Sequence, residues 1–272
     1  MLGILTSLLI APFLVNRVAA HGAVTSYRIN DEVFPGYNAY DPPDGQVSIA
    51  RPYYGIDPIF DVLNETIACN NDGGPIGPEG KQLSANIRAG DTITAIYGLW
   101  LHPFGPATVY MARCPGACIE SNSRDLEWFK INHTGLIDGD IVYGHWGIAI
   151  VSTTGEYSAK VPEELAAGEY LIRNELIAIH PPSTGPQHYV ECAQLKVFRE
   201  PGSGPGKLPP SSFLTKFPGA YNPSDPGLNV NLYTPEAPTV TTYQIPGPAV
   251  WDGQDEEDEL RLAESIRNVS RW

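Results

Sequence analysis

The chain is 272 residues long and carries 31 acidic against 17 basic residues, a formal net charge of −14 with histidine neutral. That surplus of negative charge repels phosphate backbones and anionic lipid surfaces, which argues against nucleic acid and membrane partners and sets no penalty on a neutral polysaccharide. The length suits one domain with a substantial core, and 27 Gly with 26 Pro call for many turns.

Residues 1–20 run from Met1 through an apolar stretch, Leu2 to Val15, to Arg17-Val18-Ala19-Ala20. A short hydrophobic run ending in small residues is the pattern of a secretory signal peptide, although its first residues lack a Lys or Arg. The run is too short to span a bilayer comfortably. Cleavage after Ala20 leaves His21 as the first residue of a secreted, mature chain and, with Arg17 gone, a charge of −15. An N-terminal His offers two nitrogens, an α-amine with an unperturbed pKa of about 7.7–8.0 and an imidazole near about 6.5. Both shed a proton near neutrality and can chelate a metal.

Ala23 to Ile29 reads as a first strand. Residues 30–82 read as one long loop, in which Tyr37, Tyr40, Tyr53 and Tyr54 lie among Pro, Gly, Asp and Asn. A stretch of that length without a sustained period is usually a functional surface loop. Asp91 to Leu99 alternates as a strand does, and Ala107 to Arg113 follows it. Between them, Leu99-Trp100-Leu101-His102-Pro103-Phe104-Gly105-Pro106 puts His102 at a rim position after a strand. Leu126 to Ile131, Trp146 to Ser152 and Glu156 to Val161 are further strand candidates. A turn then leads into a long strand, Tyr170 to Ile179, with His180 just beyond, and Cys192 to Phe198 closes the set. This pattern reads as all-β, an antiparallel sandwich with long surface loops. Glu200 to Trp251 is irregular and rich in Pro and Gly. The tail, 253–272, is acidic from Asp255 to Glu259, then carries Leu260, Leu262, Ala263 and Ile266 at roughly helical spacing. It reads as a charged, solvated extension with no assigned function.

Four cysteines in a secreted chain favour two disulfides, with three connectivities open to the sequence. Cys114 and Cys118 flank Pro115-Gly116-Ala117, where a turn can bring them together, which leaves Cys69 with Cys192. Four reduced thiols or a zinc site fit poorly with secretion and a single close pair. Asn64-Glu65-Thr66, Asn132-His133-Thr134 and Asn268-Val269-Ser270 are N-glycosylation sequons.

Three motifs stand in order along the chain: His21-Gly22-Ala23-Val24, His102 followed by Pro103-Phe104-Gly105-Pro106, and Gln187-His188-Tyr189-Val190-Glu191-Cys192-Ala193-Gln194. With Ile67-Ala68-Cys69-Asn70, Phe217-Pro218-Gly219-Ala220-Tyr221, Asp225-Pro226-Gly227 and Ile245 to Trp251, the chain resembles the copper-dependent lytic polysaccharide monooxygenases of auxiliary activity family 9. The resemblance covers about residues 21–252 and implies one catalytic domain over that span, with an immunoglobulin- or fibronectin-like sandwich topology.

It also implies one copper ion, held by the amine and Nδ1 of His21 and by Nε2 of His102, with Tyr189 at a longer axial distance; imidazole suits copper, at which divalent affinity peaks. His180 and Gln187 would then hydrogen-bond the oxygen co-substrate and move protons, with Tyr189 beside them. Tyr221 matches the family's platform tyrosine, and Tyr27 and the loop tyrosines are weaker candidates. His188 should point to the opposite face of its strand from Gln187 and Tyr189. His133 and His145 read as surface or packing residues. The implied reaction is oxidative cleavage of cellulose or a related β-1,4-glucan, with O2 or H2O2 as co-substrate and an electron donor as second partner, by a monomeric enzyme. The competing reading is a noncatalytic secreted sandwich that binds glycan or copper. A hydrolase would need a pair of carboxylates across the glycosidic bond, and no motif singles one out.

Overall fold

In the computed structural model of the chain, residues 22–254 are described. The expected signal peptide, residues 1–20, and His21 lie outside the described residues, as do Asn268 and the tail from residue 255 onward. In chain order the described strands are β1 (Val24–Ile29), β2 (Glu32–Pro35), β3 (Val47–Ser48), β4 (Lys81–Gln82), β5 (Ala85–Arg88), β6 (Thr92–Tyr97), β7 (Ala107–Arg113), β8 (Trp128–Thr134), β9 (Leu136–Asp138), β10 (His145–Trp146), β11 (Glu156–Lys160), β12 (Gly168–Ala178) and β13 (Gln187–Phe198). An α-helix, α1, spans Gly147–Thr154.

Two sheets make the sandwich. One has the order β11-β6-β1-β2 and the other β5-β13-β12-β7-β8. Pairing is antiparallel throughout both, except that β5 joins the edge parallel to β13. Tyr27, Ile29, Ile93 and Ala95 of the first sheet meet Met111, Ile172, Leu176, Tyr189 and Leu195 of the second in the core between them.

The second sheet is covered on its other face too. There Leu171, Ile177, Val190 and Cys192 pack against Trp128, Phe217 and Tyr221. Two buried faces explain why β12 is buried continuously from Tyr170 to Ala178 rather than at alternate positions. They also bury ionisable groups: Arg173 and Glu175 on β12 and His188 on β13 all project into this second core, fully buried.

The long stretch 30–82 is strapped down rather than free. Its Arg51 is buried and donates to the carbonyls of Gly73 (2.8 Å), Cys118 (2.6 Å) and Ser121 (3.1 Å). Its backbone meets β13 at Ile59–His188 and Arg51–Cys192. The disulfide Cys69–Cys192 fastens the same stretch to β13, and Cys114–Cys118 closes a local turn after β7; both have Cα atoms 5.3 Å apart.

Three expectations change. Trp146–Ser152 is not a strand: it becomes the end of β10 and most of α1. Its β-branched residues suggested extended chain, but Ile148 and Val151 are buried at helical spacing and Gly155, at φ 72°, caps the helix in the left-handed region. The closing strand starts at Gln187, five residues before the expected Cys192, because it pairs with β12 as far as Ala178–Gln187. Within the expected loop 30–82 lie the short β2, β3 and β4, too brief to show a period.

Glu191 faces the inter-sheet core beneath Tyr189. Burial pushes its carboxyl up to about 8, with Arg173 opposing the shift. Its Oε2 has no hydrogen-bond partner among the described residues. The folded chain therefore keeps a proton that the unfolded chain releases above about pH 4.3. Stability from this group is full below that value and is lost as pH rises towards about 8. A Glu191→Gln variant should gain on the parent across this window, by on the order of 2 kcal/mol between pH 5 and 8. Urea midpoints at the two pH values measure it, and a constant gap would show that Glu191 titrates normally.

Candidate metal centre

The residue that follows His21 is fixed tightly. A Cβ on Gly22 would fall 2.2 Å from the carbonyl oxygen of Leu99, so only glycine allows this approach. One residue on, the Ala23 carbonyl accepts the Gly98 amide at 2.9 Å. The start of the described chain thus lies on the segment that leaves β6 and carries His102.

That segment is stapled on its far side. The carbonyls of Phe104 and Pro106 accept the amides of Ile179 (2.9 Å) and Ile177 (3.0 Å) at the end of β12, and the Gly105 carbonyl accepts Ile148 of α1 at 3.2 Å. Ser152, also on α1, donates to the His102 carbonyl at 3.2 Å. Gly105, at φ 133°, would place a Cβ 1.9 Å from the Ile177 carbonyl oxygen. The backbone at His102 is therefore set by contacts on both sides, with the ring left half-buried.

Around that ring stand the side chains expected from the sequence. The Tyr189 hydroxyl lies 3.2 Å from His102 Nε2 and donates to Gln187 Oε1 at 2.7 Å. The His180 ring sits 5.1 Å from the His102 ring at 81°. Trp100 is buried against both His102 (5.1 Å) and Tyr189 (4.9 Å), edge to face, and holds them apart at a fixed angle. Burial raises the Tyr189 hydroxyl well above the ordinary phenol value, and the charge of Asp57 adds to that, so the group stays a neutral donor at any working pH. His102, His180, Gln187 and Tyr189 converge at one rim of the sandwich. Among the described residues no group of three or more His, Cys, Asp and Glu could hold a metal ion.

Alternation along β13 sends His188 the other way, as expected: its Nδ1 lies 2.8 Å from Glu175 Oε1 in the second core. His145 is exposed beside Asp138 at 2.7 Å, and His133 is half-buried beside Lys130. Asn64 is exposed and caps a short turn, its Oδ1 accepting the Thr66 amide at 2.9 Å. Asn132 is half-buried and its Nδ2 donates to the Ser158 carbonyl at 2.9 Å, a bond a glycan there would have to displace.

Tyr221 is not a platform. It is 3% exposed, its hydroxyl donates to Glu175 and meets that of Tyr110 at 3.1 Å, and its ring packs edge-on against Phe217. A ring in the core cannot stack on an external polymer. Tyr27, Tyr37 and Tyr53 are buried as well, whereas Tyr40 and Tyr54 are exposed. The sequence reading passed over Tyr233, which is 66% exposed in the irregular stretch after Tyr221. Its neighbour Leu232 belongs to the buried cluster that includes Ile179, with Phe104 packed against it, so this stretch is tied to the chain that leads into His180 and the chain that follows His102. Leu99 and Leu101, which precede His102, are exposed too. Nothing in the local sequence distinguishes Tyr233 from Tyr221, since neither lies in a periodic element.

Residues 21–243 match the model of Auxiliary Activity family 9 (formerly GH61). The chain is 44% identical over 238 residues to AA9 family lytic polysaccharide monooxygenase B of Heterobasidion irregulare, covering 87% of this chain and 94% of that protein. To AA9 family lytic polysaccharide monooxygenase D of Thermothelomyces thermophilus it is 38% identical over 248 residues, 88% and 92% of the two chains. Among solved structures, HiLPMO9B superposes with a TM-score of 0.79 at 42% identity, over 86% of this chain and all of that one. A cellulose-active polysaccharide monooxygenase from M. thermophila gives 0.75 at 35% identity, over 86% and 100%.

The hydroxyl of Tyr189 is the joint between His102 and Gln187. Tyr189→Phe keeps the ring on Trp100 but leaves the buried Gln187 Oε1 without its donor, a loss of about 1–3 kcal/mol. Thermal or urea unfolding of the metal-free protein should show that loss, and an unchanged midpoint would mean that Gln187 finds its partner elsewhere.

Proposed function

The chain belongs to Auxiliary Activity family 9, the copper-dependent lytic polysaccharide monooxygenases, and from that premise we propose that it is a secreted, monomeric enzyme cleaving β-1,4-glucan, cellulose first, with O2 or H2O2 as co-substrate and electrons from an external reductant. Its catalytic domain is residues 21–252, between a signal peptide of residues 1–20 and the acidic tail 253–272. The observation that carries this reading is the convergence of His102, His180, Gln187 and Tyr189 at the rim where Gly22, the residue after His21, docks on Leu99.

The donor set fits copper. An imidazole nitrogen on a half-buried ring beside a neutral phenol suits a borderline ion, and a chain anchored at Gly22 brings the His21 amine and Nδ1 within a residue's reach of that rim. His21 and His102 would hold the ion, with the Tyr189 hydroxyl close to His102 Nε2. Copper, when bound, supplies the one-electron chemistry that activates the oxygen co-substrate.

The rest falls to the side chains. With Oε1 of Gln187 taken by the Tyr189 hydroxyl, the amide is oriented with its NH2 end turned away from Tyr189, as a hydrogen-bond donor to the co-substrate. His180, its ring perpendicular to that of His102, is the proposed group to give or take a proton there. The polymer is bound by rings and apolar surface rather than by charge. The exposed Tyr233 takes over from Tyr221 as the stacking ring, and the exposed Leu99 and Leu101 offer further apolar surface. An acidic protein suits a neutral glucan. Glycan attachment is proposed at Asn64, which is exposed, ahead of Asn132, whose amide nitrogen is already bonded.

Inserting one alanine before His21 tests the site. The His21 amine becomes a planar peptide nitrogen and stops being a basic donor, while His102 and the sandwich are untouched. Copper affinity should fall sharply and oxidised sugars vanish from product mass spectra, with cellulose adsorption and metal-free stability kept. Full activity in a variant whose extra residue is confirmed by mass would remove the amine from the ligand set. Separately, Tyr233→Ala should weaken adsorption to cellulose by about 1 kcal/mol with copper affinity unchanged. Equal adsorption would take Tyr233 out of the binding face.

A further inference from the structure

We infer that Lys130, with His133 as its acceptor, is a positioning residue for substrate binding: the pair pins the loop that presents Tyr233, and protonation of His133 loosens it. The inference rests on the reading of Tyr233 as the stacking ring.

Lys130 lies on β8 and is fully buried. Its ammonium donates to the Pro246 carbonyl at 2.7 Å and to His133 Nδ1 at 3.3 Å, and sits 5.5 Å over the Tyr110 ring. A buried charge is costly unless its hydrogen bonds are made, so this group holds its acceptors firmly. One of those acceptors is loop backbone. The next residue, Gly247, at φ 82°, would put a Cβ 2.4 Å from the Tyr110 hydroxyl and 3.5 Å from Lys130 Nζ, so the chain is pressed onto the pair.

The other end of the same loop is fixed in the same cluster. The Tyr221 hydroxyl meets Tyr110 at 3.1 Å and donates to Glu175. Between these two anchors the loop is zipped to itself: Tyr243 donates to the Gly227 carbonyl at 2.8 Å, and a Cβ on Gly227 would fall 2.0 Å from the Gln244 carbonyl oxygen. Tyr243 also packs edge-on against Trp146 at 4.8 Å, and Leu232 enters the cluster with Ile179. Lys130 at Pro246 and Glu175 at Tyr221 thus fix the two ends of the stretch that carries Tyr233.

The titratable groups that meet Lys130 among the described residues are Tyr110 from β7, Glu175 from β12 and, around Gly247, Tyr221 from the loop. Burial, with the Lys130 charge added, pushes His133 down to about 4, and burial pushes Lys130 down to about 8 against the pull of Glu175. Between those values Lys130 is charged and His133 neutral, the state in which the bond between them exists. As pH falls through about 4 the acceptor is lost and two cations face each other.

The test uses the copper-loaded protein, adsorption to microcrystalline cellulose from pH 6 to 3.5, and backbone hydrogen exchange over residues 222–247. The parent should lose adsorption by about fivefold across pH 4, with exchange in that loop quickening beyond its intrinsic pH dependence. His133→Gln, which keeps an acceptor and never charges, should hold both readouts level. Lys130→Met should weaken adsorption at every pH while copper affinity stays at the parent value. If Lys130→Met does not fold, the parent and His133→Gln decide the matter between them. Should Tyr233→Ala weaken adsorption while His133→Gln follows the parent profile, the pinning role is wrong. Should Tyr233→Ala leave adsorption unchanged, the platform reading falls instead, and the exchange comparison alone decides whether the pair holds the loop.

Discussion

One buried carboxylate gathers most of the tertiary structure. Glu175 accepts hydrogen bonds from Arg173 at 2.7 Å, Thr108 at 3.1 Å and the Tyr221 hydroxyl, and its other oxygen lies 2.8 Å from His188 Nδ1. Arg173 in turn donates to the carbonyls of Ile67 (2.9 Å) and Ala68 (3.0 Å). Three strands, the long loop before β4 and the loop after β13 are thereby held to one point. Arg173 and its neighbours hold the Glu175 carboxyl well below the ordinary carboxylate range, against the burial that opposes this. A pair of this kind gains little over an apolar core of the same shape, but losing one partner strands the other and costs about 3–5 kcal/mol. It therefore specifies an arrangement more than it adds stability.

The same two strands carry the candidate site on their other face. Because side chains alternate along β13, Gln187 and Tyr189 look toward the rim and the inter-sheet core while His188 joins Glu175. A one-residue slip of β13 against β12 would exchange these roles, so the buried ion cluster protects the register on which the rim depends. His180 lies two residues past the end of β12, and its position follows from the same register. The conserved quantity, physically, is which face each residue of β13 occupies.

The rim itself is built from chain ends and turns. His102 belongs to a stapled connection between β6 and β7, Gly22 is wedged against Leu99, and Tyr233 is carried by a loop anchored through Tyr221 and Pro246. Buried polar groups anchor irregular chain at this rim without strands to form it. An acidic protein presenting rings and leucines in this way is suited to a neutral, ring-bearing polymer.

The sequence by itself supported an all-β sandwich and two disulfides, through strand periodicity, a secretory pattern and the close cysteine pair, whereas the grouping of His102, His180, Gln187 and Tyr189 was implied by the family resemblance of its ordered motifs. Helix α1 was misread, since β-branched residues carry the same local preference whether Ile148 and Val151 are buried by a helix or by a strand. Only the tertiary structure decided which tyrosine is exposed. Tyr221 and Tyr233 stand in the same irregular stretch, and what separates them is Glu175, a residue nearly fifty positions from Tyr221 whose carboxylate accepts the Tyr221 hydroxyl in the core while the Tyr233 ring is exposed. Burial in an irregular segment is set by partners distant in sequence, and no local pattern records them.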